Sequence, residues 1–227
     1  MTAVQSTGFR HFHDQLDELK QLLLDMSYQA EQLIDRSISA LMSGNREAAE
    51  DVLAGDKAIN DLEVEVERRA ISLLALQQPM ARDLRFLVGA IKVSSDLERV
   101  GDHAVNIAES AIRLLEMEAP PPVAPELEDM ARRAKEMLAQ SLDAFTRADG
   151  ALGREVCKAD DAVDALHDSM FRILLTHMMA DPKTITRSLE LLLVSRNLER
   201  VADLATNISE DAVYLAEGKQ IKHHFED

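Results

Sequence analysis

The chain has 227 residues, with 41 Asp and Glu against 25 Lys and Arg, a formal net charge of -16, and 46% apolar residues that include six Phe, two Tyr and no Trp. That balance excludes nucleic acid as a partner, because phosphates select clustered Lys and Arg, and it requires an aliphatic core of the kind built by helix-on-helix packing. There is no apolar run long enough to span a bilayer, no charged-then-apolar signal at the N-terminus and a single cysteine, Cys157, so a cytoplasmic protein without membrane insertion is expected.

After a frayed start, apolar residues at Phe12, Leu16, Leu19, Leu23, Met26, Ala30 and Leu33 alternate in steps of four and three. This predicts a long amphipathic helix, ended by Gly44-Asn45. A second helix is expected from about Arg46 to Gln78 and a third from about Met80 to Glu118, with Pro79 separating them. Residues 119–125 hold four of the six prolines and read as a stiff linker between a domain at 1–118 and another at 126–218. The pattern then repeats. Helices are expected from about Glu126 to Ala148, from about Arg154 to Ala180 after a Gly150/Gly153 break, and from about Thr184 to Glu217 after the turn Asp181-Pro182. A tail, 219–227, follows. The fold class is all-α, two tandem three-helix bundles related by an internal repeat.

Within the third helix of each unit a polar motif recurs. Glu98, Asp102, Asn106 and Glu109 are matched 101 residues later by Glu199, Asp203, Asn207 and Glu210. At about 100° per residue the first four fall near 0°, 40°, 80° and 20°, one stripe roughly 16 Å long, opposite the apolar back formed by Val93, Leu97, Val100, Ala104 and Ile107. The second helices carry rows of their own: Asp56, Asn60, Glu63 and Glu67 in the first unit, and Asp160, Asp164, His167 and Phe171 in the second. Like charges four residues apart repel by a few tenths of a kcal/mol per pair in an exposed helix, which suits a solvated face poorly but suits a site that collects cations. The segments Val93 to Ala111 and Val194 to Ala212 share twelve residues, every stripe position among them, and Asn is a poor helix former with no solubility advantage. Facing rows of Asp, Glu and Asn oxygens make a natural site for hard or borderline divalent cations, several in one cluster being an option. A ferritin-like carboxylate-bridged di-metal enzyme needs paired Glu-x-x-His elements, and Asp164-x-x-His167 is a single approximate instance. No catalytic set is therefore assigned. Arg99 and Arg200 flank the stripes, either bridging to a neighbouring helix or orienting the carboxylates.

The motif Leu97-Glu98-Arg99-Val100-Gly101-Asp102 with Asn106-Ile107, its second copy at Leu198 to Asp203, the turn Gln78-Pro79 before Asp83-Leu84-Arg85, and Gly55-Asp56-Lys57 together resemble the PhoU family of phosphate-transport accessory proteins. The resemblance implies two three-helix bundles and a non-enzymatic negative regulator of the phosphate-starvation response. Such a regulator links the ATPase-driven phosphate ABC transporter to a membrane-bound sensor histidine kinase. It also implies iron- or zinc-type metal clusters on the acidic motifs, a homodimer or larger oligomer, and the stripe residues as motif positions. Asp56, Asn60 and Glu63, with Asp160 and Asp164, are then the expected facing ligands. Phe171 in place of Glu67 and Ala202 in place of Gly101 make the first unit the better expected metal site. A face this acidic cannot hold phosphate tightly unless a metal inverts its potential, so signalling is expected to run through protein contacts. The alternatives from other classes are the di-metal enzyme and a metal-free structural dimer.

Overall fold

The computed structural model describes residues 3–117 and 125–221, with the side chains of 3–11 left aside. Six helices account for almost all of them: α1 (Ala3–Ser43), α2 (Arg46–Gln77), α3 (Ala81–Leu115), α4 (Pro125–Arg147), α5 (Gly150–Ala180) and α6 (Ile185–Glu217), with a single 3₁₀ turn at Pro182–Thr184. There is no strand among the described residues. The all-α class and the repeated three-helix organisation stand as the periodicity predicts. Helix α1 begins at Ala3, inside the stretch expected to be frayed. Of the proposed linker only Pro125 is described, and it opens α4; the rest of 119–125, and the tail beyond Ile221, lie outside the described residues.

One boundary differs for a clear physical reason. Gly150 and Gly153 were expected to break the chain before the fifth helix, yet α5 starts at Gly150 and runs through both. Asp149 is its cap, its side chain accepting from the amides of Ala151 and Leu152 at 3.0 Å. Gly153 is there for room. A Cβ at this position would stand 2.9 Å from the Ser209 carbonyl oxygen and 3.1 Å from Val213, so α5 and α6 touch backbone to side at this point. Gly153→Ala should therefore destabilise the protein by about 2 kcal/mol through overpacking, despite alanine's better helix propensity. Urea midpoints measure it, and an unchanged or raised midpoint would show that the two helices can separate without loss.

Inside each unit the second helix packs along the third and the first, so that α3 and α6 are each flanked on two sides. The third helices also pack on each other. Lys92 pairs with Asp211 at 2.9 Å, His103 with Asn197 at 2.9 Å and Arg113 with Glu190 at 3.0 Å. Numbers rising along α3 meet numbers falling along α6, so the two run antiparallel, and α2 and α5 lie at the outer edges. Buried residues from all six helices form one continuous cluster, including Leu19, Leu23, Leu87, Leu97, Val201 and Ile208. Phe86 of α3 stacks on Phe145 of α4 at 5.6 Å between ring centroids, carrying that core across the unit boundary. With each large aliphatic side chain contributing about 1.5–3 kcal/mol by leaving water, separating the units would be costly. Three buried serines do not oppose this: Ser37, Ser94 and Ser141 donate to carbonyls three residues back, at 2.8, 2.9 and 2.7 Å.

Candidate functional site

Helix α2 approaches α3 closely at Gly101, where a Cβ would stand 3.2 Å from both Asp56 Oδ1 and Ile59 Cδ1. Ile59 fills the floor of the groove, buried to 1% exposure, and Asp56 is held beside it over the stripe of α3. Asn60 Nδ2 donates to Asp56 Oδ2 at 3.0 Å, which fixes the amide with its oxygen outward from that bond. Across the groove, the Glu98 carboxyl is pushed above its ordinary value by burial first, then by the charges of Asp102, Glu63 and Asp56. Two of those charges belong to α2. The rows on α2 and α3 therefore face one another, as their spacing predicts.

The second face is built the same way from α5 and α6, and it is more strongly perturbed. Burial, followed by Asp164, Asp203, Asp161 and Glu199, pushes the Asp160 carboxyl up to about 7. Asp164 is raised as well, by burial and then by Asp203 and Asp161, with His167 opposing. Ser195 Oγ donates to the Leu192 carbonyl at 2.9 Å and lies 3.1 Å from His167 Nδ1, so the imidazole donates from Nδ1 and keeps a lone pair on Nε2. Phe171, in the place of Glu67, is 46% exposed and supplies no ligand. The first face is all oxygen; the second exchanges one carboxylate for a nitrogen.

Three oxygens in these rows are fully buried and accept no hydrogen bond: Asp56 Oδ1, Asn60 Oδ1 and Asp160 Oδ1. Each such orphan costs about 1–3 kcal/mol unless something supplies positive charge. As the side chains stand, no three His, Cys, Asp or Glu groups among the described residues converge closely enough to hold an ion. Carboxylates without a counter-charge repel and stand apart, so a cation would have to draw Glu98 and Asp102 toward Asp56. The donor types, the orphaned oxygens on both faces and the raised carboxyls fit that requirement.

The far ends of the stripes behave differently. Asn106 is exposed and lies in a cleft between α3 and α6, and Glu109 is exposed with Arg113 of its own helix 3.4 Å away. Asn207 is half-buried, whereas Glu210 is buried near Cys157. The Cys157 thiol is pushed up to about 12 by burial, then by Glu210 and Asp160, so it is held protonated in the metal-free protein. The flanking arginines divide too: Arg200 holds the stripe carboxylate of Asp203 at 2.7 Å, while Arg99 reaches Asp96 at 3.5 Å, outside the stripe. Sequence reasoning passed over Asp161 and Ser195. The serine could have been found from its place four residues before Glu199, on the flank of α6 that meets α5.

The fold and its two faces define an all-helical protein with doubled, acidic helix-pair grooves. The sequence model of the PhoU domain matches residues 23–111 and again 127–212, and the chain belongs to the PhoU family. A phosphate-specific transport system accessory protein PhoU homolog of Aquifex aeolicus is 43% identical over 92% of this chain and 94% of its own length. One from Clostridium acetobutylicum is 38% identical over 92% and 96%. Among solved structures, PhoU from Pseudomonas aeruginosa is 34% identical with a TM-score of 0.87, covering 92% of this chain and 100% of its own. The phosphate transport system regulatory protein PhoU from Streptococcus pneumoniae is 30% identical with a TM-score of 0.85, covering 92% and 98%. Membership gives this chain an accessory role in phosphate transport. Among the described residues no helix is long and apolar enough to cross a membrane.

Proposed function

We propose that this protein is a cytoplasmic negative regulator of phosphate uptake and of the phosphate-starvation response, acting by binding rather than by catalysis. It contacts the ATPase subunit of a phosphate ABC transporter on one side and a sensor histidine kinase on the other, and works as a homodimer. The names of its relatives support the transport role, and the word regulatory in that of the pneumococcal neighbour supports a regulatory one. The observation that carries the metal part is the set of orphaned oxygens, Asp56 Oδ1, Asn60 Oδ1 and Asp160 Oδ1, one or more on each face. A divalent iron- or zinc-type ion would be held by Asp56, Asn60, Glu63, Glu98 and Asp102 on the first face. On the second, Asp160, Asp164, Glu199 and Asp203 would hold it, with His167. Such an ion would neutralise the rows and let these residues present a charge-balanced face to a partner.

The chain's own residues set the rest. Ser195 fixes the His167 tautomer, and Arg200 aims Asp203, so the second face is oriented before any ion arrives. The excess of 16 negative charges attracts partners with basic surfaces over long range, and salt screens that attraction beyond about 8 Å at physiological ionic strength. Co-purification of the ATPase subunit and of the kinase with tagged protein tests the reading. Recovery of each should fall as salt rises and fall again when Glu98, Asp102, Glu199 and Asp203 are changed to amides. If neither partner is recovered at any salt concentration, the linking role is wrong.

A further inference from the structure

The antiparallel seam between α3 and α6 opens into a cleft of about 490 Å³ lined by these two helices alone. Four arginines line it, Arg99 and Arg113 from α3 with Arg196 and Arg200 from α6, and no carboxylate does. In a chain with 41 acidic and 25 basic residues, four guanidinium groups in one cleft are a local concentration of cationic hydrogen-bond donors. The global balance argues against anions only where the acidic rows face solvent, because the field at a site is set by its own neighbours.

The arginines are not equally committed. Arg113 is spoken for by Glu190 at 3.0 Å, Ser110 at 3.0 Å and Glu109 at 3.4 Å. Arg99 and Arg200 each give one terminal nitrogen to a carboxylate three residues away on the same helix, Asp96 and Asp203, which leaves the remaining donors of each fork. Arg196 has no hydrogen-bond or ion-pair partner among the described residues. Asn197 braces the floor, its amide donating to the Leu193 carbonyl at 2.8 Å while its oxygen faces His103 Nδ1 at 2.9 Å. Asn106, which the stripe geometry grouped with the metal ligands, instead turns its amide into this cleft.

We infer that this cleft binds a small free condensed phosphate, with Arg99, Arg196 and Arg200 as its charged donors and Asn106 beside them. Guanidinium forks match tetrahedral oxyanions two bonds at a time, which a point-charge lysine cannot do. Arg99 comes from α3, and Arg196 and Arg200 lie about one turn apart on α6, so guanidinium forks reach the cleft from both helices. A ligand with two phosphoryl groups can take a fork from each helix at once. The cleft is far larger than a single phosphate needs, and its lining holds no Phe, Tyr or Trp and a single apolar residue, Leu193, which offers a nucleobase little surface beyond the His103 imidazole. The site is made of arginines rather than the acidic rows and does not depend on metal.

Calorimetric titration of chelator-treated full-length protein with inorganic pyrophosphate tests this, with orthophosphate and sulfate as comparison anions. Pyrophosphate should bind at least tenfold more tightly than either. Arg196→Gln with Arg200→Gln should weaken it at least tenfold, while Lys57→Gln with Arg68→Gln, cations removed elsewhere on the surface, should change it less than twofold. Circular dichroism confirms folding, and Arg99→Gln alone serves should the double variant fail to fold. Absence of pyrophosphate binding at millimolar concentration, equal loss in both double variants, or equal affinity for sulfate would each overturn the assignment.

Discussion

Chelator-treated protein is expected to unfold at a higher temperature at pH 5 than at pH 8, and Asp160→Asn to remove most of the difference. The sign follows from the Asp160 carboxyl, raised from 3.8 to about 7 in the folded protein by burial and by Asp164, Asp203, Asp161 and Glu199. Between those values the folded chain holds a proton that the unfolded chain has released. The contribution is fully present below pH 4 and is lost as pH rises through 7. Glu98 and Asp164 are raised too and act in the same direction, while His103, lowered by burial, opposes them as pH falls below its ordinary value. Glu65 and Asp129 are shifted downward by their arginines, but they lie on the surface, and their weak effect would appear below pH 5. Allowing for solvent screening of the half-buried site, Asp160 is worth about 2 kcal/mol, or about 4–8 °C in a chain of this size. Differential scanning fluorimetry across the range decides it. A melting temperature that rises from pH 5 to pH 8 in the chelated protein would mean that Asp160 is not crowded by its neighbours.

The other large effect concerns metal uptake. Titration with a divalent ion should reveal two classes of site, because the first face offers oxygens alone while the second adds the His167 nitrogen. Glu98→Gln with Asp102→Asn should weaken one class at least tenfold and, in the metal-free state, raise thermal stability slightly by relieving repulsion. Asp160→Asn with His167→Ala should weaken the other class by a similar factor, with the greater loss for zinc than for manganese. Metal content measured by emission spectroscopy, unchanged in both double variants, would remove these residues from the ligand list. A titration that fits one set of identical sites would remove the distinction between the faces.

Most of the fold was legible in the sequence because it rests on periodicity. The four-and-three alternation from Phe12 to Leu33 marks a buried stripe without any knowledge of its partner, and all seven of those residues are buried in the structure. Gly153 misled because a glycine signals either a break or a close approach, and only the position of Ser209 on α6 distinguishes the two. The same limit applies to the site. Spacing puts Glu98, Asp102, Asn106 and Glu109 on one side of α3, yet a stripe spanning about 80° of a helix can border two grooves at once. Glu98 turns toward α2 and Asn106 toward α6, and which neighbour lies on which flank is a property of the packed bundle. Arg196 and Arg99 come from helices that are remote in sequence, so their meeting had no signature in either segment.

The continuous core has one more consequence, for how a partner reads this molecule. With neighbouring helix axes about 8–10 Å apart, the grooves beside α3 and α6 lie roughly 20 Å from each other, more than twice the physiological screening length. The two acidic grooves are therefore electrically independent but mechanically locked, since the layer between them is packed α3 against α6 rather than a loose tether. A partner with one basic loop can engage either groove. One with two loops at a matching span gains the second contact as an intramolecular event, and a mismatch of a few ångströms forfeits it. On the proposed reading, the bundle would act as a rigid gauge that selects bivalent partners by the distance between their charges.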